Sequence, residues 1–378
     1  MNYVFATKPY QQRLGYLIGV ILLTHPLNTT DLPTIQRKIL QLFKLKEEHW
    51  KPRKRVKRIS HTRDIIKWAT DIDIITEHQH RWTWKGKVLD AITPEKQKDA
   101  FLSKKTHVPD LLNGKNFTEE QKLFFLYIMI ESDGHFLLPF ANRIIKEDEF
   151  RVSSNKDLLE NDFRKIYYNS WMDLVNALKE SSLYSLRKEG RTLEKMVKQL
   201  KPRTLYIKAL SKLEPLVDLS FLRRASDQLA HYTPVKDKLA FFDTFPELEN
   251  FIQKGRLENF LRDEFFQKWS KTIGNKENVI EVNRMRLLEK HIAKSYSELI
   301  SPRWQIINRN EVALLTCLKS FFSEPNLIVE FNEALQYHLK LTEKYGPKEV
   351  QLFGDYEGKL SSIKIGNDAL NKMLDANA

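Results

Sequence analysis

Between residues 31 and 89 the spacing of apolar side chains changes character, and that change limits what this stretch can fold into. Asp31-Leu32-Pro33 opens a helix. The Asp31 carboxylate can accept from free N–H groups, Pro33 fits a first turn, and Ile35, Ile39, Leu40 and Phe43 recur at helical spacing. Ser60 is the expected cap of a second amphipathic helix, with Ile65, Ile66, Trp68 and Ala69 as its buried face and His61, Thr62, Arg63 and Lys67 as its open one. The period then drops from about 3.6 to 2. Ile72, Ile74 and Ile75 read as a short strand, Glu77 to His80 as a hairpin tip and Arg81 to Trp84 as the return strand. Lys85 to Leu89 then forms a closing turn into a helix. With Tyr10 to Leu23 as one more helix, the predicted order is three helices followed by a two-stranded ribbon.

The charge of this region points to a partner. Residues 1–116 hold 22 Lys and Arg against 11 Asp and Glu, a net of +11, while the other 262 residues hold 40 against 38, a net of +2. The density peaks between Lys44 and Lys67, where ten basic residues face Glu47, Glu48 and Asp64. A localised stripe of this kind is the footprint of a polyanion, because each neutralised phosphate releases condensed counterions. A solvated basic face without a ligand is the plain alternative.

The stretch Trp68-Ala69-Thr70-Asp71-Ile72-Asp73-Ile74-Ile75, followed by Trp82-Thr83-Trp84-Lys85-Gly86, resembles the winged helix-turn-helix superfamily over roughly residues 10 to 95. In that family a recognition helix leads into the first strand of a wing. A similar pattern starts at Lys201-Pro202-Arg203, runs through Leu216 to Leu222 and reaches His231-Tyr232-Thr233-Pro234, with Lys236 where the first copy has Gly86. A third lies at the C-terminus, with helices over Asn310–Phe321 and Asn332–Glu343 and a hairpin of Val350–Phe353 and Leu360–Ile365 around Gly354-Asp355-Tyr356-Glu357-Gly358. The expected fold is mainly α with small β-hairpin wings, two or three winged-helix units joined by helical segments. The expected boundaries are a basic domain over 1–97, a helical segment with the second unit over 98–240, a helical linker over 241–305 and the third unit over 306–378. The linker's charge pairs fit a solvated helix. With only 12 Gly, the composition favours helix throughout.

Other chemistry finds less in the sequence. Leu126 to Gly134 resembles the LAGLIDADG motif of homing endonucleases, whose acid at Asp133 would bind Mg2+, but Tyr127 and Ile128 stand where that family packs small residues. Asp355, Glu357 and Lys359 echo the acid and E-x-K set of restriction-type nucleases, compressed into a single turn. In both places an ordinary turn is the structural alternative. His78-x-His80 lacks further metal ligands around it, and no HExxH, G-x-S-x-G, Walker A or G-x-G-x-x-G arrangement occurs, so no cofactor is expected. The single Cys317 excludes a disulfide framework and fits a reducing interior. The apolar run Gly15 to Thr24 is too short to span a bilayer and lacks a cleavage site after it. No membrane contact is expected, and the expected location is cytoplasmic and nucleoid-associated.

The sequence therefore predicts a non-enzymatic, double-stranded-DNA-binding protein, a regulator or the recognition component of a larger complex. The helix at Ser60 is expected to enter the major groove with His61, Thr62 and Arg63 nearest the bases, and Lys67 on the same face. Lys51, Arg53, Lys54, Arg55, Lys57 and Arg58 are expected on phosphates, and His78, His80 and Arg81 at an adjacent groove. Lys201, Arg203 and Lys208 would take comparable places in the second unit, with a protein partner or a second copy held by the helical and C-terminal parts. Two alternatives stay open: a scaffold subunit of a defence or chromosome-organising assembly, and the recognition part of a restriction-type or homing nuclease.

Overall fold

The computed structural model describes residues 13–24, 31–47, 59–102, 117–152, 162–224, 231–245, 247, 250, 252, 256–277, 281–302 and 304–375. These residues form sixteen α-helices and two small antiparallel sheets of three strands each. The mainly helical class expected from the sequence is therefore observed.

The first unit comprises α1 (Gly15–Leu23), α2 (Leu32–Glu47), α3 (Ile59–Asp71), α4 (Trp84–Ala91) and α5 (Glu95–Leu102). Asp31 caps α2 as its position suggests, its Oδ2 accepting from Thr34 N at 2.8 Å. Between α3 and α4 the expected two-stranded ribbon shrinks to one antiparallel bridge, Ile75 to Trp82, because Trp84 is recruited into α4 by the Thr83 cap. Of α1, Gly15 to Ile21 are all buried, so this helix is surrounded on every side.

The middle unit begins with α6 (Glu119–Ile144), whose N-terminus carries a capping box: Thr118 accepts from Gln121 N and the Gln121 side chain accepts from Thr118 N. Ser132-Asp133-Gly134, expected as a terminating turn, lies inside this helix. The helix runs on through Gly134, where Leu257 packs so closely that a Cβ would stand 3.2 Å from its Cδ1. Among the described residues α6 alone is long and apolar enough to cross a membrane, and 72% of its most apolar window is buried inside the protein.

After α6 come β1 (Phe150–Arg151), α7 (Phe163–Glu180), α8 (Tyr184–Lys198), α9 (Pro202–Asp218), β2 (Leu222–Arg224), β3 (His231–Pro234) and the short α10 (Lys236–Leu239). The strands lie in the order β1-β3-β2, with Phe150 opposite Tyr232 and Arg223 opposite Thr233. Aromatic stacking explains the addition of β1: the Phe150 ring lies 4.9 Å from Phe163 and 5.7 Å from Tyr232.

The segment expected as a solvated linker, 241–305, is instead part of the core. Within it, α11 (Arg256–Asp263), α12 (Phe265–Thr272) and α13 (Glu281–Leu299) bury Phe260, Phe265, Phe266, Ile292 and Tyr296. The charge pairs in the sequence disguised an apolar stripe that other helices cover. The C-terminal unit follows α13 with β4 (Ile307–Asn308), α14 (Arg309–Phe321), α15 (Phe331–Tyr345), β5 (Val350–Gly354), β6 (Leu360–Ile365) and α16 (Asn367–Leu374). Its strands are ordered β4-β6-β5, so the sequence of elements and the strand order match those of the middle unit apart from the extra helix α8. Helices 310–321 and 332–343 and strands 350–353 and 360–365 fall within a few residues of expectation; β4 was not foreseen.

A buried ionic cluster ties the first unit to the middle one. Arg13 Nε donates to Asp218 Oδ1 at 2.9 Å, Nη1 donates to Glu214 at 3.1 Å, and Leu14 N donates to Asp218 Oδ2 at 2.9 Å. Glu214 also accepts from Tyr232 Oη at 2.9 Å and pairs with Arg224. Arg13 is 3% exposed and Asp218 1%, so removal of the guanidinium leaves Asp218 buried without its counter-charge. Truncating Arg13→Ala is expected to lower the unfolding free energy by about 3 kcal/mol or more in chemical denaturation. On α15, His338 is fully buried and neither ring nitrogen has a hydrogen-bond partner among the described residues. Burial, with Arg309 nearby, pushes its pKa down to about 3. A histidine neutral in the folded protein and near 6.5 unfolded contributes stability above pH 6.5 that is lost progressively as pH falls towards 3. His338→Leu should flatten that acid loss by up to about 1.4 kcal/mol per pH unit, read from melting temperatures at pH 7 and pH 4.5.

Candidate nucleic-acid interface

The periodicity of α3 decides what it can offer a ligand. Thr62, Ile65, Ile66 and Ala69 fall on one stripe and are buried, which leaves Arg63 and Lys67 exposed one turn apart. Thr62 therefore cannot stand nearest a base edge as expected: it lies three and four residues before Ile65 and Ile66, on the core side. The helix starts at Ile59, so Ser60 lies within it instead of capping it. Of Ser60 and His61 only the backbone is described, and Lys51, Arg53, Lys54, Arg55, Lys57 and Arg58 lie outside the described residues. Lys67 pairs with Asp71 at 2.9 Å across one turn of the open face.

The chain after α3 reverses tightly. Asp73 has φ +60 and His80 φ +49, both left-handed, and Thr76 N donates to Arg81 O at 2.9 Å. The tip exposes Glu77, His78 and Gln79, whereas His80 is 9% exposed. His80 thus leaves the proposed groove contact: its left-handed backbone turns the ring inward. Arg81 is half-buried and engaged within the protein. The indole of Trp82 donates to Ile21 O at 3.1 Å and Thr24 Oγ1 at 2.9 Å, fastening the hairpin to the end of α1. Gly86 lets α4 lie against the hairpin, since a Cβ there would sit 2.4 Å from Ile74 O.

In the middle unit Lys201 is exposed and Lys208 half-buried, while only the backbone of Arg203 is described. The Lys208 ammonium is less basic than usual because of burial and its neighbour Lys212. Sequence reasoning missed the helix just before them. Along α8, Leu186, Gly190, Leu193 and Val197 are buried, and the opposite side exposes Lys188, Arg191, Lys195 and Lys198. The two stripes were readable from spacing alone, but a near-neutral regional charge concealed them.

A cleft of about 680 Å3 opens beside the start of α8 and the turn that follows α3. Its walls include Asp73 and Lys85 from the first unit, Tyr127 and Glu131 from α6, Leu183 and Glu189 at the start of α8, and Arg262 and Phe331 from the C-terminal half. Lys85 is 6% exposed and spans Asp73 at 3.2 Å and Glu131 at 2.6 Å.

The acids singled out for metal chemistry do other things. Asp133 is buried in an ion pair with Lys212, and burial raises its pKa although the lysine opposes this. Asp355 Oδ1 accepts from Glu357 N at 3.0 Å and Lys359 N at 2.9 Å, which is how an Asp holds a turn. Among the described residues no three His, Cys, Asp or Glu side chains gather in a way that could hold a metal ion. Set beside protein-family models, curated proteins and solved structures, the chain matches none.

The close approach at Gly86 has a measurable consequence. Gly86→Ala forces Ile74 O and the hairpin to move and is expected to cost about 1–3 kcal/mol, seen as a lower melting temperature.

Proposed function

We propose that the protein binds double-stranded DNA, with α1 to α4 as its main contact, and acts as a regulator or as the recognition component of a larger complex. The observation that carries this reading is the net charge of +11 in residues 1–116, densest on the approach to α3, a helix whose open face carries Arg63 and Lys67. Cationic side chains beside an exposed helix suit a groove and its flanking phosphates. The winged-helix reading is supported by the order helix, strand, two helices, hairpin from α13 to β6, with the strand from between the helices pairing to the last strand.

A second reading, protein contact through the C-terminal unit, is favoured by one observation. Tyr356 at the β5–β6 turn is 96% exposed between Asp355 and Glu357, and Trp304 and Ile306 are about half exposed. An acidic, apolar tip repels phosphate and suits a protein surface. The two readings combine in a component that holds DNA with its first unit and a partner with its last.

Binding to a random duplex of about 30 base pairs at about 50 and 200 mM salt tests the proposal. Wild-type protein is expected to bind with an affinity that falls steeply with salt. Changing Arg53, Lys54, Arg55, Lys57 and Arg58 to Ala should abolish binding, and Arg63→Ala with Lys67→Ala should weaken it. Absence of binding by the wild type at low salt would refute it.

A further inference from the structure

The helix α8 has features that packing alone does not require. It lies along α7 with very close contact at Gly190, where a Cβ would meet Leu178 Cβ at 2.9 Å and Lys179 N at 3.1 Å. Arg187 is occupied structurally, its Nη1 donating to Ser181 O at 2.8 Å and Ser182 O at 2.7 Å. The remaining cations, Lys188, Arg191, Lys195 and Lys198, recur at i, i+3, i+7 and i+10, and all four are exposed together with Thr192. Among the described residues only Lys198 of the four has an ion-pair partner, Glu194, which also holds Lys179. Other helices expose a mixture: α13 shows Arg286, Lys294 and Glu298, and α15 shows Gln336, Lys340, Glu343 and Lys344. A solvated face normally mixes signs in that way, so a stripe of one sign calls for a polyanion.

The dimensions agree with a phosphate backbone. Ten residues of helix rise about 15 Å, the axial span of about four phosphates on one strand of a duplex. Leu183, Ser185, Leu186 and Glu189 at the start of α8 line one cleft with Asp73, two residues past the end of α3, so the two elements flank the same depression although neither row of exposed cations lines it.

We propose that α8 is a second nucleic-acid contact, its Lys188, Arg191, Lys195 and Lys198 lying along the sugar-phosphate backbone of the duplex that α3 engages. This rests on the DNA-binding reading above and adds to it a surface outside the basic N-terminal third. The contact supplies affinity and orientation and carries no sequence information.

The test compares full-length proteins in fluorescence anisotropy with a labelled duplex of about 30 base pairs over about 50 to 200 mM salt. The variants are K188A/R191A/K195A/K198A; its partner K188R/K195R/K198R, which keeps the charge; and K340A/K348A/K359A/K372A, which removes four exposed charges elsewhere. The α8 alanine variant, with wild-type circular dichroism and melting temperature, is expected to bind at least about tenfold more weakly, with a salt slope reduced by about 3. The arginine variant and the C-terminal control should bind like the wild type. If the wild type binds while the α8 alanine variant keeps its affinity and slope, the α8 contact is overturned and the DNA-binding reading stands. Equal weakening in the C-terminal control also overturns it, since bulk charge then accounts for the effect. No binding by any protein overturns both, as does α8-dependent binding to phosphatidylserine vesicles without binding to the duplex.

Discussion

The arrangement depends first on a buried guanidinium. Arg13 sits at the entrance to α1 and reaches two carboxylates on the last turn and a half of α9, more than 200 residues later in the chain. Burying three charges is costly unless every one is answered, and here the answer is shared with Leu14 N, Arg224 and Tyr232. The helices meeting at this cluster have apolar surfaces that could slide against neighbours. Hydrogen bonds in fixed directions remove that freedom and set the relative placement of the first and middle units.

Two sheets with the same strand order then organise the rest. In each, a two-residue strand joins the last strand of a hairpin, and the pairing is held by side chains beneath it: Phe150 against Phe163 and Tyr232 in one, Ile307 opposite Ile363 in the other. Such short ladders contribute little by themselves, so the helices under them supply most of the stability. The hairpins are then free to differ at their tips. That of the C-terminal sheet ends in neutral and acidic side chains around Tyr356, and the minimal hairpin after α3, outside both sheets, ends in Glu77, His78 and Gln79.

Much of this was legible in residue spacing. Asp31 and the C-terminal hairpin were both read correctly because each rests on local chemistry. Thr62 was misread because a hydroxyl looks like surface, although its position relative to Ile65, Ile66 and Ala69 placed it in the core. His80 was misread because nothing local announces a left-handed backbone at a histidine. The two-residue strands β1 and β4 were invisible, since their existence depends on partners far along the chain. The stripe on α8 was hidden by averaging: Glu180, Glu189 and Glu194 offset its cations in the count, although Glu189 lines the cleft and Glu194 divides itself between Lys179 and Lys198.

Trp82 has a mechanical meaning as well. Its indole grips the C-terminal end of α1, and Arg13 anchors the chain just before the helix begins. Because α1 is buried along nearly its whole length, it has no room to bend or tilt between these two fastenings. The helix therefore works as a strut: a load applied at His78 is carried along about 14 Å of rigid rod to the carboxylates of α9, and the first and middle units respond to it as one body.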